Sequence, residues 1–311
     1  MAARESRVPW SAEPFGARTL FASDVVTIGV TRCGPEHPQF RDPGPVSEHC
    51  LLFPESRVLV ERPGRRPFAS SPNQVVFHRR GQAVQRRALE AAGDEHLWFA
   101  WLEREDELEW GRHELPPDLR AADFDDRTWD PRWTLVRRLL VRHLSSGAVP
   151  DRLWVEETAA SLVRAGLKHL ADSSSARPRR PVSMRERDVS ERAQQVLRAR
   201  FREAVTLSEL AHDVGCSHFH LARVFRRVTG STLHSYRARL RALAALEALL
   251  DGPTTLSELA LRLGFASPSH FTQAFRRTFG RTPSDLARSW MDDERELVRE
   301  LVGELGCLDR S

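Results

Sequence analysis

The sequence predicts an α+β chain: an antiparallel β barrel or sandwich, then a helical hairpin, then an all-α domain built on a duplicated helix pair. Three observations carry that expectation. Between Arg18 and Leu102, short apolar runs rich in Val, Ile, Phe and Trp are broken by Pro and Gly, the pattern of closely spaced strands. From Pro131 onward the apolar residues recur at helical spacing. The hexapeptide TLSELA stands at Thr206–Ala211 and again at Thr255–Ala260, and the similarity continues beyond both copies.

Composition sets the limits. The 311 residues are enough for two domains, and 41% hydrophobic with 29% charged residues is a globular balance. No apolar run approaches the roughly 20 residues of a membrane span, and the start MAARESRVPWSAEPFG lacks a signal-peptide core, so a cytoplasmic location is expected. Cys33, Cys50, Cys216 and Cys307 form no CxxC pair and read as buried, reduced thiols. The formal charge of +4 is unevenly spread: residues 1–176 carry a net −2, residues 183–290 a net +7, and residues 291–311 a net −4. Positive charge thus gathers in one segment of about a hundred residues, as expected of a domain that meets a polyanion. Lys168 is the one Lys among 47 basic residues, so Arg richness by itself carries no functional weight.

The strand candidates VVTIGV, HCLLF, SRVLVER, NQVVFHRR, AVQRRAL and HLWFAWL fall in residues 1–125, the expected sensor domain. In HLWFAWL, His96, Trp98, Ala100 and Leu102 alternate with Leu97, Phe99 and Trp101, so one of these sets points inward. Trp98 or Trp101 is therefore a candidate for lining an effector pocket, against the alternative that both fill the core. Residues 131–170 read as a helical hairpin, with one stripe through Trp133, Val136, Leu140 and Leu144 and another through Leu153, Leu162, Leu167 and Leu170. Those stripes exceed what a hairpin buries by itself; they pack on the β domain or pair with a second copy, and a homodimer is the expectation. ADSSSARPRRPVS, residues 171–183, is the linker.

Within residues 184–290 each repeat makes the same physical sense. Thr206 and Thr255 stand at N-cap positions with Glu209 and Glu258 three residues on, the capping-box spacing. Gly215 and Gly264 stop the first helix, and Ser217 and Ser267 cap the second, where Pro268 suits the first turn. In the second helices, Leu221 and Phe225, or Phe271 and Phe275, lie four apart and face a core. Arg226–Arg227 and Arg276–Arg277 follow, and Gly230 or Gly280 ends the helix. Two helices joined by a tight Gly turn, the second one basic, make a helix-turn-helix. Between the copies, LHSYRARLRALAALEALLDG is one long helix. About 20 residues span roughly 30 Å, close to the roughly 34 Å between successive major grooves. The acidic tail, residues 291–311, has the spacing of a short terminal helix.

The second copy, LALRLGFASPSHFTQAFRRTFGRTPSDLARS, resembles the signature of the AraC/XylS family of transcription regulators, and the resemblance covers about residues 189–290. It implies a sequence-specific DNA-binding regulator controlled by a small-molecule effector, with an N-terminal cupin-like barrel and a dimerisation hairpin. Double-stranded promoter DNA is then the partner, RNA polymerase a candidate second one, and no cofactor is implied. The family's base-reading positions fall on Phe219, Ala222 and Arg223 in the first motif and on Pro268, Ser269, Thr272 and Gln273 in the second. Arg226, Arg227, Arg276 and Arg277 then reach phosphates or solvent, and His218, His220 and His270 the surface or phosphates. Pro268 cannot donate an N–H, Gln273 suits adenine, and Ala222 offers apolar contact alone.

Two other readings set themselves against this one. Cupin-type metal enzymes generally use an HxH pair with a carboxylate and a later His, whereas His37, His49, His78 and His96 stand singly here. No P-loop, dinucleotide fingerprint or nucleophile elbow occurs, so no enzyme is expected. A helix-turn-helix repeat that docks protein is the other, and the basic excess of residues 183–290 speaks against it.

Overall fold

The computed structural model describes residues 16–37, 40, 45–64, 67–72, 74–91, 93–101, 129–147, 149–175, 182–252 and 254–308. The chain divides into two compact units, one holding most of residues 8–176 and the other residues 177–301.

In the first unit, β1 (Gly16–Ala22), β2 (Thr27–Cys33), β8 (Asp94–Trp101), β3 (His49–Pro54) and β6 (Val76–His78) pair in that order as a five-stranded sheet. β5 (Phe68–Ala69), β4 (Val58–Glu61) and β7 (Gln85–Ala88) form a second sheet, so the described strands make two sheets rather than one closed ring. All pairings among the described strands are antiparallel. β3 and β8 are central and buried on both faces, which is why they read as nearly continuous apolar runs. Leu51, Phe53, Leu97, Phe99 and Trp101 take one face; Cys50, Leu52, His96, Trp98 and Ala100 take the other, toward the second sheet.

Two helices follow, α1 (Pro131–Ser145) and α2 (Arg152–Ser175). Leu135, Val136, Leu139, Leu140, Val155, Leu162, Val163 and Leu170 are buried within the single chain. Arg137 and Arg138 both hold Glu55, at 2.7 and 2.8 Å, and Arg137 lies over the Phe53 ring. Burial raises the Glu55 pKa, but the two guanidiniums outweigh it and hold the carboxyl below its ordinary value. Of the hairpin stripes, Leu153 alone is strongly exposed. α2 runs five residues into the segment expected to be linker.

The second unit begins at α3 (Met184–Arg200), whose capping box pairs Ser183 with Glu186. α4 (Leu207–Val214) and α5 (His218–Thr229) follow, then the connector α6 (Leu233–Asp251), α7 (Leu256–Arg262), α8 (Pro268–Phe279), α9 (Pro283–Asp292) and α10 (Glu294–Leu308). Val189, Ala193, Leu197, Leu210, Ala211, Val214, Leu221, Val224, Phe225 and Tyr236 build one core, from α3 to the start of α6. α6 then packs against α8, where Phe271, Phe275 and Phe279 meet edge-on and tilted in series and are fully covered.

Candidate nucleic-acid interface and effector cavity

Each helix pair presents an outward face fixed by its buried one. In α4 the Thr206 hydroxyl accepts from the Glu209 N–H, and the Glu209 carboxylate accepts from Thr206 N–H at 2.7 Å, so the capping box closes. Gly215, left-handed at φ 77°, ends α4, and Ser217 caps α5 by accepting from the His220 N–H. With Leu221, Val224, Phe225 and Val228 turned inward, Ala222, Arg223 and Arg226 are exposed. Phe219 is 79% exposed and lies 4.2 Å, ring to ring, from His218. An apolar ring so exposed on a basic helix face suits a thymine methyl or a sugar edge. The guanidinium of Arg223 reaches His220 Nδ1 at 3.4 Å, and an exposed fork there can pair with guanine O6 and N7.

The second pair is built on the same plan with one difference. Thr255 caps α7, but Glu258 makes no return bond, so only half of the capping box forms. Ser267 caps α8 and Pro268 takes its first turn, leaving Ser269 and Gln273 exposed and Thr272 half-buried. These side chains, Arg276 and Thr282 line a shallow concavity. Arg276 and Arg277 are exposed in the last turn of α8.

Arg227, by contrast, is half-buried. Its guanidinium pairs with Glu186 at 2.7 Å, tying α5 to the start of α3, while Arg226 beside it stays exposed. Glu186 is a residue the sequence reading passed over. It lies 41 positions away and serves the α3 cap as well, and no local pattern links it to Arg227.

In the first unit a cavity of about 340 Å³ lies between the two sheets. Its walls include Leu52, Val58, Val76, Val84, Trp98 and Ala100. Trp98 lines it; Trp101, on the opposite face of β8, stacks on Phe77 and lies tilted against His49 instead. Trp98 fits because Gly29 opposes it on β2: a Cβ at Gly29 would stand 2.2 Å from the indole.

One wall is polar. Arg86 pairs with Asp94, and the second Asp94 oxygen meets His96 Nδ1 at 2.8 Å. Burial pushes the Asp94 pKa up, yet His96 and Arg86 hold it down at about 2. His78, also on the wall, is buried, and its Nδ1 has no hydrogen-bond partner. Burial, reinforced by Arg62, His96 and Arg86, lowers its pKa to about 3, so it is neutral at ordinary pH. The alternation in HLWFAWL already set His96 and Trp98 on one face, and Asp94 continues that face by one more step; Arg86 and His78 arrive from other strands, beyond any local pattern. Among the described residues no group of three or more His, Cys, Asp or Glu is placed to hold a metal ion, and no described helix is long and apolar enough to cross a membrane.

Residues 210–289 match a family described as a helix-turn-helix domain. The regulatory protein SoxS of Escherichia coli (strain K12) is 36% identical over 83 residues, 27% of this chain and 78% of that protein. The virulence regulon transcriptional activator VirF of Yersinia enterocolitica is 33% identical over 94 residues; this chain spans about a third of its length, 35%. Among solved structures, an AraC-type transcriptional regulator from Chromobacterium violaceum is 25% identical, with 33% of this chain and 92% of that one covered at a TM-score of 0.32.

Proposed function

The chain belongs to the AraC/XylS family of transcription regulators, and from that premise we propose that one chain reads promoter DNA with both helix-turn-helix motifs under the control of a small molecule. The observation that carries the reading is the pair of recognition helices, α5 and α8, each with an apolar face closed into a core and a polar, basic face left open. In this proposal Arg223 reads guanine, Gln273 reads adenine, and Phe219 and Ala222 meet thymine methyls, while Ser269 and Thr272 complete the second contact. Arg226, Arg276 and Arg277 hold phosphates, which supplies affinity without sequence information. Arg227 contributes through the pair with Glu186 that seats α5.

The effector half of the proposal rests on the cavity between the sheets. Its volume suits a small metabolite, Trp98 offers an apolar face, and His78 offers a neutral ring nitrogen. A homodimer formed at the hairpin and contact with RNA polymerase at the promoter complete the scheme; the Yersinia relative is an activator by name. Selection of bound fragments from genomic DNA with the purified chain tests the DNA half, and the genes beside the sites point to the effector's pathway. Affinity that falls steeply with added salt marks phosphate contacts. Affinity for protein targets alone, with no DNA selected, would return the helix pairs to a protein-docking role.

A further inference from the structure

Arg241 stands on α6, in a run of Ala and Leu, yet it is only 6% exposed. It spends none of its donors on a carboxylate. Its Nε donates to the Phe201 carbonyl at 2.6 Å, and one Nη donates to the Glu203 carbonyl at 3.1 Å and the Arg202 carbonyl at 3.4 Å. These are the carbonyls of the α3 C-cap and of the two turn residues after it, and a buried guanidinium fork is well suited to them. One turn of α6 earlier, Arg237 donates to the Val205 carbonyl at 2.9 Å, so both ends of the turn between α3 and α4 are held from α6.

The other side of Arg241 faces the second motif. Its guanidinium lies over the Phe265 ring at 5.5 Å, and Phe265 sits in the turn between α7 and α8. The neighbouring Gly264 has φ +76°, and a Cβ there would stand 1.9 Å from the Arg202 carbonyl oxygen and 2.8 Å from Arg241 Nη2. The turn of the second motif is thus seated on the last turn of the first motif's scaffold, with the Arg241 guanidinium between them. Three elements meet at this joint: the end of α3, the middle of α6 and the α7–α8 turn. Burial, and then Arg237, lowers the Arg241 pKa to about 10, which leaves the side chain charged at neutral pH.

We propose that Arg241 is a positioning residue that fixes the angle between the two recognition helices and thereby sets the base-pair spacing that one chain accepts. The proposal rests on the DNA-reading function above. A helix connector fixes distance along its axis but not rotation at its two ends. The planar fork, bound to three carbonyls on one side and stacked on a ring on the other, removes that rotation. One inserted base pair turns the second site by about 35° and moves it about 3.4 Å, so a rigid joint cannot follow it.

The test uses the full chain and a duplex that the wild-type protein selects from a random-sequence library. Affinity is titrated on that duplex and on versions with one base pair added or removed between the two protected segments. The wild-type chain loses at least about tenfold on each respaced duplex, the worth of one good base contact or more. Arg241→Met, which keeps a long side chain but none of the three bonds, binds all three duplexes within about threefold of one another, because a loosened joint follows the spacing. Arg241→Lys keeps the charge, loses the fork and the stack, and falls between them; it also serves should the Met variant melt too early to assay. A general loss of stability lowers affinity on every duplex alike and leaves the spacing profile unmoved, so it does not imitate this result. Wild-type spacing preference in the folded Met variant, or in the Lys variant where Met does not fold, overturns the proposal. A wild-type chain that selects no duplex overturns the DNA-reading function itself.

Discussion

Arg223 and Arg226 are three residues apart on one helix and are both exposed, yet they leave it in different directions. Arg223 lies about 200° around the helix from both Leu221 and Phe225, directly opposite the core; Arg226 lies about 100° from Phe225 and nearer the helix end. Arg223→Ala is therefore expected to cost about 1–3 kcal/mol on the selected site and almost nothing on random DNA. Arg226→Ala lowers both and makes the salt dependence shallower. Titration of both variants on the two duplexes at two salt concentrations checks this, and equal losses for Arg223→Ala on both would show that it positions rather than reads. In the first unit His78 makes a separate prediction. Its folded pKa, about 3, lies below the ordinary 6.5, so the unfolded chain takes up its proton first as the pH falls. That stability is complete above about pH 6.5 and is lost as the pH falls from there toward about 3, amounting to about 2 kcal/mol between pH 7 and pH 5. His78→Phe removes this slope, read as urea midpoints at the two pH values; an unchanged slope would mean that another group carries it. Outward residues of α5 were legible from helical spacing alone. Arg227 and His78 were not, because their surroundings come from Glu186 and from Arg62, Arg86 and Asp94, far away in the chain.

Identical sequence at α4 and α7 produces unequal helix starts. The two copies of TLSELA place Thr206 with Glu209 and Thr255 with Glu258, and each Thr hydroxyl accepts from the Glu N–H at 3.2 and 3.3 Å. Only Glu209 returns the bond, at 2.7 Å to Thr206 N–H and 2.8 Å from its hydroxyl, and these bonds hold its carboxyl below the usual range. Loss of the cap hydroxyl is worth about 1 kcal/mol, so Thr206→Ala and Thr255→Ala both lower the melting point of the chain. The copies separate at the acid: Glu209→Ala lowers the melting point, whereas Glu258→Ala leaves it unchanged. Equal shifts for the two Glu variants would show that the caps are alike in solution. Helix starts, Gly stops and the order of α4 to α8 were readable because caps and periodicity are local. The division of strands into two sheets was not, since the same alternating runs serve a barrel or a sandwich, and cross-strand partners decide between them. Nor did periodicity mark Arg241, which looks like any arginine on an Ala- and Leu-rich helix until its carbonyl partners are known.

At the scale of the whole molecule, the charge division has a structural counterpart: the net +7 of residues 183–290 belongs to the unit that carries both recognition helices, and the first unit supplies no such excess. A monomer would then offer two motifs to DNA, and a homodimer four, with the second pair bound at the effective concentration set by the first. The hairpin stripes do not by themselves demand a partner, because Val136, Leu140, Leu162 and Leu170 are already covered within the chain. What remains is its tip, where Val149 is 90% exposed and Leu153 is 64% exposed, four residues apart at the start of α2. A two-fold contact buries the same patch on both copies, so one substitution there is felt twice. Sedimentation of the full chain over a range of concentrations is expected to show a monomer–dimer equilibrium, and Leu153→Asp, which sets two carboxylates against each other, shifts it to monomer without lowering the melting point of the chain. On DNA the same variant keeps its affinity for a single site and loses the steep concentration dependence on paired sites. A Leu153→Asp chain that still dimerises would place the contact away from the hairpin tip, and a wild-type chain monomeric at every concentration would leave the two motifs of one chain as the complete reading unit.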